Sequence, residues 1–190
     1  MIMEEMNRSI GLVAEFHRTF NHPIADSIGE ESLEIRQLRI KLLFEELQEL
    51  SEASDCEQTF HELCENKVDA NIEFWGQGGD CRDGDNVDHI EELDALCDLQ
   101  VVLDGKILTS GHWKHFGAAF TEVHRSNMSK ACATSDKASM TTYNYSNKGV
   151  LTYKEKVGEY YVVKRSSDDK VLKGIDFEEP NLKQFIEDET

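Results

Sequence analysis

The stretch Ser32–Ala53 reads SLEIRQLRIKLLFEELQELSEA, and its reading decides the fold. Ser32 is a helix-capping residue, and the run behind it is rich in Leu, Glu, Arg and Gln, all strong helix formers. Its apolar residues form two stripes. Ile40, Leu43, Leu47 and Leu50 make one; Ile35, Leu38 and Leu42 make the other. Continued by heptad steps, the second stripe lands on Glu45 and Glu49. Carboxylates thus take places that periodicity assigns to a groove-facing surface.

A later segment, DHIEELDALCDLQVVLDG, repeats the pattern. Glu91, Asp94 and Asp98 follow one another at steps of three and four, on one helical face. Between Leu93 and Leu103 the only polar residues are Asp94, Asp98 and Gln100. Burying such groups without partners costs several kcal/mol each, on the order given by transfer data. A divalent cation between the two helices removes that cost. All-oxygen donors select Mg²⁺ or Mn²⁺ over zinc.

Around these two helices the chain continues to read as helical. Residues 3–20 carry Ile10, Val13, Phe16 or His17, and Phe20 at helical steps, and Asn21-His22-Pro23 ends the run. Helices are expected from about Val87 to Gly105 and from Phe116 to Met128. Residues 54–88, with GQGGD and CRDGDN, read as a long loop. From Ala131 the character changes. LTYKEK and EYYVVKR, split by Val157-Gly158, read as a β-hairpin or three-stranded appendage, and DFEEPNLKQFIEDET as a terminal turn or short helix. The expected division is a helical domain over 1–130 and a β-containing appendage over 131–190.

The chain has 190 residues, 38 acidic and 20 basic, and a formal net charge of -18. So acidic a surface repels nucleic acid and anionic lipid, so direct binding to either is not expected. No apolar run reaches the roughly 18 residues that span a membrane. The N-terminal MIMEEMNRSI has no signal-peptide character. Five irregularly spaced cysteines, Cys56, Cys64, Cys81, Cys97 and Cys132, read as reduced thiols. A soluble cytoplasmic protein is the expectation. Cys56, His61, Cys64, Cys81 and His89 fall in one segment, but they contain no Cys-x-x-Cys pair and match no common zinc spacing.

In this acidic chain, EVHRSNMSK, residues 122–130, gathers His124, Arg125, Asn127 and Lys130 at a helix end. Beside a metal site, such cations suit phosphate oxygens.

These segments together resemble the all-α nucleoside triphosphate pyrophosphohydrolases, the MazG-like and phosphoribosyl-ATP pyrophosphohydrolase-like family. Glu45-Glu46-Leu47-Gln48-Glu49 matches the family's Glu-Glu-x-x-Glu. Glu91-Glu92-Leu93-Asp94 matches its Glu-x-x-Asp, while Asp94-Ala95-Leu96-Cys97-Asp98 with the apolar run and Gly after it is similar to the form found in a subgroup. In that second register Ala95 stands where a strict motif ending at Asp98 would place Glu. EVHRSNMSK and EFHRTFNHP resemble two further segments of the subgroup, and YVVKRSSDDKVLKG is similar to a third. The resemblance implies a helical bundle completed by dimerisation or higher homo-oligomerisation, and Mg²⁺- or Mn²⁺-dependent hydrolysis of a nucleoside triphosphate, expected to be deoxy or non-standard, to monophosphate and pyrophosphate. It implies Glu45, Glu46, Glu49, Asp94 and Asp98 as metal ligands, with Glu91 a further candidate and Glu46 doubling as catalytic base. Arg125, Asn127 and Lys130 are then expected to hold phosphates, and His17, Phe20 and Trp75 to be candidates for the base pocket. A Nudix hydrolase is the nearest enzyme rival, but Arg39 stands six residues before Glu45 and the required glycines are missing. The alternative from another class is an acidic, nucleic-acid-mimicking interaction protein without catalysis.

Overall fold

A computed structural model describes residues 8–28, 30, 32–64 and 87–186. Trp75, Cys81 and most of the expected 54–88 loop lie outside the described residues, as do residues 3–7 of the expected first helix.

The described residues are mostly helical, with one small two-stranded antiparallel sheet. The helices are α1 (Arg8–Thr19), α2 (Leu33–Ala53), α3 (residues 57–64), α4 (His89–Thr109), α5 (Phe116–Met128) and α6 (Ser135–Ser146). The strands are β1 (Thr152–Val157) and β2 (Tyr160–Arg165). No helix among the described residues is long and apolar enough to cross a membrane.

Local signals set most helix ends. Asn21, at φ 54°, stops α1 in the left-handed conformation that Asn tolerates. The Ser32 hydroxyl accepts from the Ile35 N–H at the start of α2. At the start of α4 the Asp88 carboxylate accepts from the Ile90 and Glu91 N–H groups at 3.1 and 3.2 Å. α4 runs on past Gly105 to Thr109, four residues beyond the expected end, because the following residues keep a helical apolar period through Ile107 and Leu108.

Two helices were not anticipated. α3 lies inside the segment read as loop, where the Phe60 ring meets Phe44 of α2 at a centroid distance of 5.2 Å. α6 lies where sequence suggested only β structure. Its Thr and Tyr content favours strands, but Thr134 caps it by accepting from the Lys137 N–H, and packing against the hairpin overrides propensity.

The chain divides into two compact units, Ala25–Leu99, and Met1–Ile24 with Gln100–Thr190. The second contains the core. Phe20, Cys132, Ala138, Val162 and Val163 are fully buried there. α1 packs on α5, and α6 covers the hairpin, whose strands pair from Thr152 with Arg165 to Val157 with Tyr160. Gly158, at φ 57°, opens the two-residue turn. Residues 131–190 fall in one compact unit with residues 1–24 and 100–130, and Cys132, Ala138 and Val163 form a buried cluster within it.

The unit Ala25–Leu99 is built differently. Neither α2 nor α4 has a buried residue, although each carries a long apolar series. Ile40 is 67 % exposed and Leu47 53 %, and on α4 Leu93 is 63 % exposed.

Candidate functional site

Glu45, Glu46 and Glu49 project from the C-terminal half of α2, and Glu91, Asp94 and Asp98 from the N-terminal half of α4. All six are exposed. Their side chains make no hydrogen bond or ion pair among the described residues. Nearby polar groups pair with one another instead: Gln48 with Glu52 at 2.9 Å, and His89 with Glu92 at 3.0 Å. The chemistry of the six suits a hard cation, since all are carboxylates with uncommitted oxygens. Yet among the described residues no three His, Cys, Asp or Glu side chains gather where one metal ion could sit. Each helix presents its own half-set, and the described residues do not gather the two at one point.

The end of α5 is more tightly built. Glu122, Arg125, Ser126, Ser129 and the segment 178–181 form one network. The Arg125 guanidinium donates from Nε and from Nη2 to the two Glu122 oxygens, both at 2.9 Å, and from Nη1 to Glu178 at 2.5 Å. The buried Ser126 hydroxyl donates to the Glu178 carbonyl at 2.8 Å, and the Glu178 N–H donates to the Ser129 hydroxyl at 3.0 Å. The Asn181 N–H closes the set by donating to Glu122 at 2.9 Å. Arg125 is therefore a latch that holds the C-terminal segment on α5. Its donors face two carboxylates, those of Glu122 and Glu178. Sequence reasoning could not see this, because Glu178 stands 53 positions away.

Arg125, helped by the Asn181 N–H, pulls the Glu122 carboxyl down to about 2 from an ordinary 4.5. A depressed carboxyl stabilises the fold above its unfolded pKa, and that contribution is lost as pH falls through the folded value. Glu122→Gln is expected to melt below the wild type at pH 6–8, with the gap closing between about 4.5 and about 2. Thermal melts of both proteins across pH check this; a gap that persists at pH 2 would assign the loss to shape rather than charge.

Lys130 and Asn127 pair with each other near the end of α5. The Lys130 ammonium donates to Asn127 Oδ1 at 2.8 Å, and the Asn127 amide hydrogens have no acceptor among the described residues. Lys130 also stands over the Phe16 ring of α1, 5.8 Å from its centroid. Phe16 in turn stacks on His22 at 5.6 Å. His124, from the same segment, reaches Glu15 of α1 at 3.1 Å and fastens α5 to α1.

Of the base-pocket candidates, His17 is half-buried and holds the Pro23 carbonyl through Nδ1 at 2.8 Å. Phe20 is fully buried against Phe16, at a centroid distance of 4.4 Å. It is a core residue, and its ring is closed to a ligand. Trp75 lies outside the described residues. Comparison of the chain with protein-family models, characterised proteins and solved structures gives no match.

Proposed function

We propose that this chain is a metal-dependent nucleoside triphosphate pyrophosphohydrolase of the MazG-like kind, acting as a homodimer or higher homo-oligomer. The observation that carries the reading is the pair of uncommitted carboxylate sets on two helices whose apolar residues are left in solvent. Solvated acidic helices do not need leucines at 50 % exposure or more, as at Leu43, Leu47, Leu93 and Leu96. A second copy is the simplest cover for such stripes, and association would gather carboxylate sets that the described residues of one chain do not. Sedimentation is accordingly expected to give at least twice 21.7 kDa at micromolar concentration. A monomer would remove the assembly from the proposal.

Glu45, Glu46, Glu49, Asp94 and Asp98 are the proposed metal ligands, with Glu91 adjoining. When bound, Mg²⁺ or Mn²⁺ supplies charge neutralisation at the phosphates and an acidified water. Glu46 has a free carboxylate for accepting the proton of that water. Asn127 and Lys130 hold phosphate oxygens, Asn127 by its amide hydrogens and Lys130 by charge.

The test is a panel of standard and modified nucleoside triphosphates assayed with Mg²⁺ or Mn²⁺. Monophosphate and pyrophosphate are expected as primary products, and EDTA is expected to abolish turnover. Full turnover in EDTA would discard the metal, and orthophosphate with a diphosphate would reverse the orientation of the bound phosphates. No turnover on any triphosphate, together with binding to a DNA-binding protein, would favour the acidic decoy.

A further inference from the structure

Gly174 is the last buried residue along the described chain. Its N–H donates to the Lys130 carbonyl at 3.2 Å, and the approach requires glycine: a Cβ at 174 would lie 2.7 Å from the Lys130 oxygen. From Ile175 to Ile186 no residue is buried. This stretch is a strap held on α5 and α6 by polar contacts. The Ile175 N–H donates to Thr141 Oγ1 at 2.9 Å, and Asp176 pairs with Lys137 at 2.8 Å. Every polar group of Glu178 meets a different α5 side chain or its cap. Its carboxylate takes Arg125, its carbonyl takes the Ser126 hydroxyl at 2.8 Å, and its N–H donates to the Ser129 hydroxyl at 3.0 Å.

Such a strap is specific in what it contacts and weak in how it is held. Glu178 is 70 % exposed in its pair with Arg125, and exposed ion pairs contribute little to stability. With no buried side chain of its own, the strap opens at a far lower free energy than the core beneath Gly174. The carboxylate it brings to Arg125 is also of a kind that phosphate can replace, because a guanidinium makes the same charge-assisted hydrogen bonds to both. Glu122 holds Nε and Nη2 of Arg125 whether or not the strap is seated. Release therefore opens Nη1 and the hydroxyls of Ser126 and Ser129, in the same short segment as Asn127 and Lys130. We propose that residues 175–186 are a displaceable, autoinhibitory strap whose Glu178 is an internal anion, filling a position on α5 that an oligophosphate takes when it lifts the strap. The proposal concerns regulation of the phosphate grip and rests on the pyrophosphohydrolase reading for the identity of the natural ligand.

The experiment uses the full chain, free of metal, with inorganic tripolyphosphate as the probe. Amide hydrogen exchange is followed with and without the probe, and calorimetric titration compares wild type with Glu178→Ala and Glu178→Gln. Saturation is expected to lower the protection of the Glu178 and Asn181 N–H groups, which donate to Ser129 and Glu122, and to leave the paired Cys132 and Tyr161 amides unchanged. Glu178→Ala is expected to bind tripolyphosphate about two- to five-fold more tightly, the range for removing an exposed ion pair. Glu178→Gln, which keeps the shape and removes the charge, should move the same way. Thermal melting guards against unfolding. Affinity equal to or below wild type in either variant, binding that leaves Glu178 and Asn181 protected, or no binding by any of the three proteins overturns the inference and leaves the enzyme reading to its product assay. Release of the strap by tripolyphosphate in a protein that hydrolyses no nucleotide keeps the strap and discards the enzyme reading.

Discussion

Glu46→Gln is expected to lower kcat by about 10²–10⁴-fold, the range for loss of a positioned acid–base group. The fold should not notice. Glu46 is exposed on α2, makes no hydrogen bond or ion pair among the described residues, and lies in a helix with no buried residue. Gln keeps the shape and the helix propensity while removing the charge that a cation or a water proton requires. The prediction therefore separates chemistry from stability more cleanly than a substitution at the α5 network would. Steady-state kinetics beside thermal melting measure it. A turnover number equal to wild type would remove Glu46 from the mechanism.

Gly174→Ala is the complementary case, with a large effect on structure. The added methyl would sit 2.7 Å from the Lys130 carbonyl oxygen, which is backbone and cannot swing aside. Overpacking of this kind costs about 1–3 kcal/mol. For a chain of this size that is a melting-temperature loss of roughly 2–12 °C. The buried layer beneath, with Cys132 beside Thr141 at 3.6 Å and the Ile175 N–H donating to Thr141 at 2.9 Å, leaves little room to yield. An unchanged melting temperature would mean that residue 174 does not pack on Lys130.

Elements governed by neighbours in the chain were legible from sequence. α2 begins behind Ser32 because a hydroxyl and an N–H three residues apart decide the cap. α5 spans Phe116–Met128 as expected, and the hairpin turns at Gly158 because a positive φ is cheap there. The paired carboxylates on α2 and α4, and the cations after residue 122, could be found by counting steps of three and four. What distance along the chain decides was not legible. α6 is helical through its packing on the hairpin, against its own β-favouring composition. Phe20 looked available from its helical stripe, yet it is fully buried in the fold. The pairing of Arg125 with Glu178 and the closing of the Gly174 backbone on the Lys130 carbonyl both join residues far apart in the chain. Periodicity by itself determined which side chains could do chemistry. Only the tertiary structure decided which of them are already engaged, because a charge's partner is chosen by proximity in space and not by order in the chain.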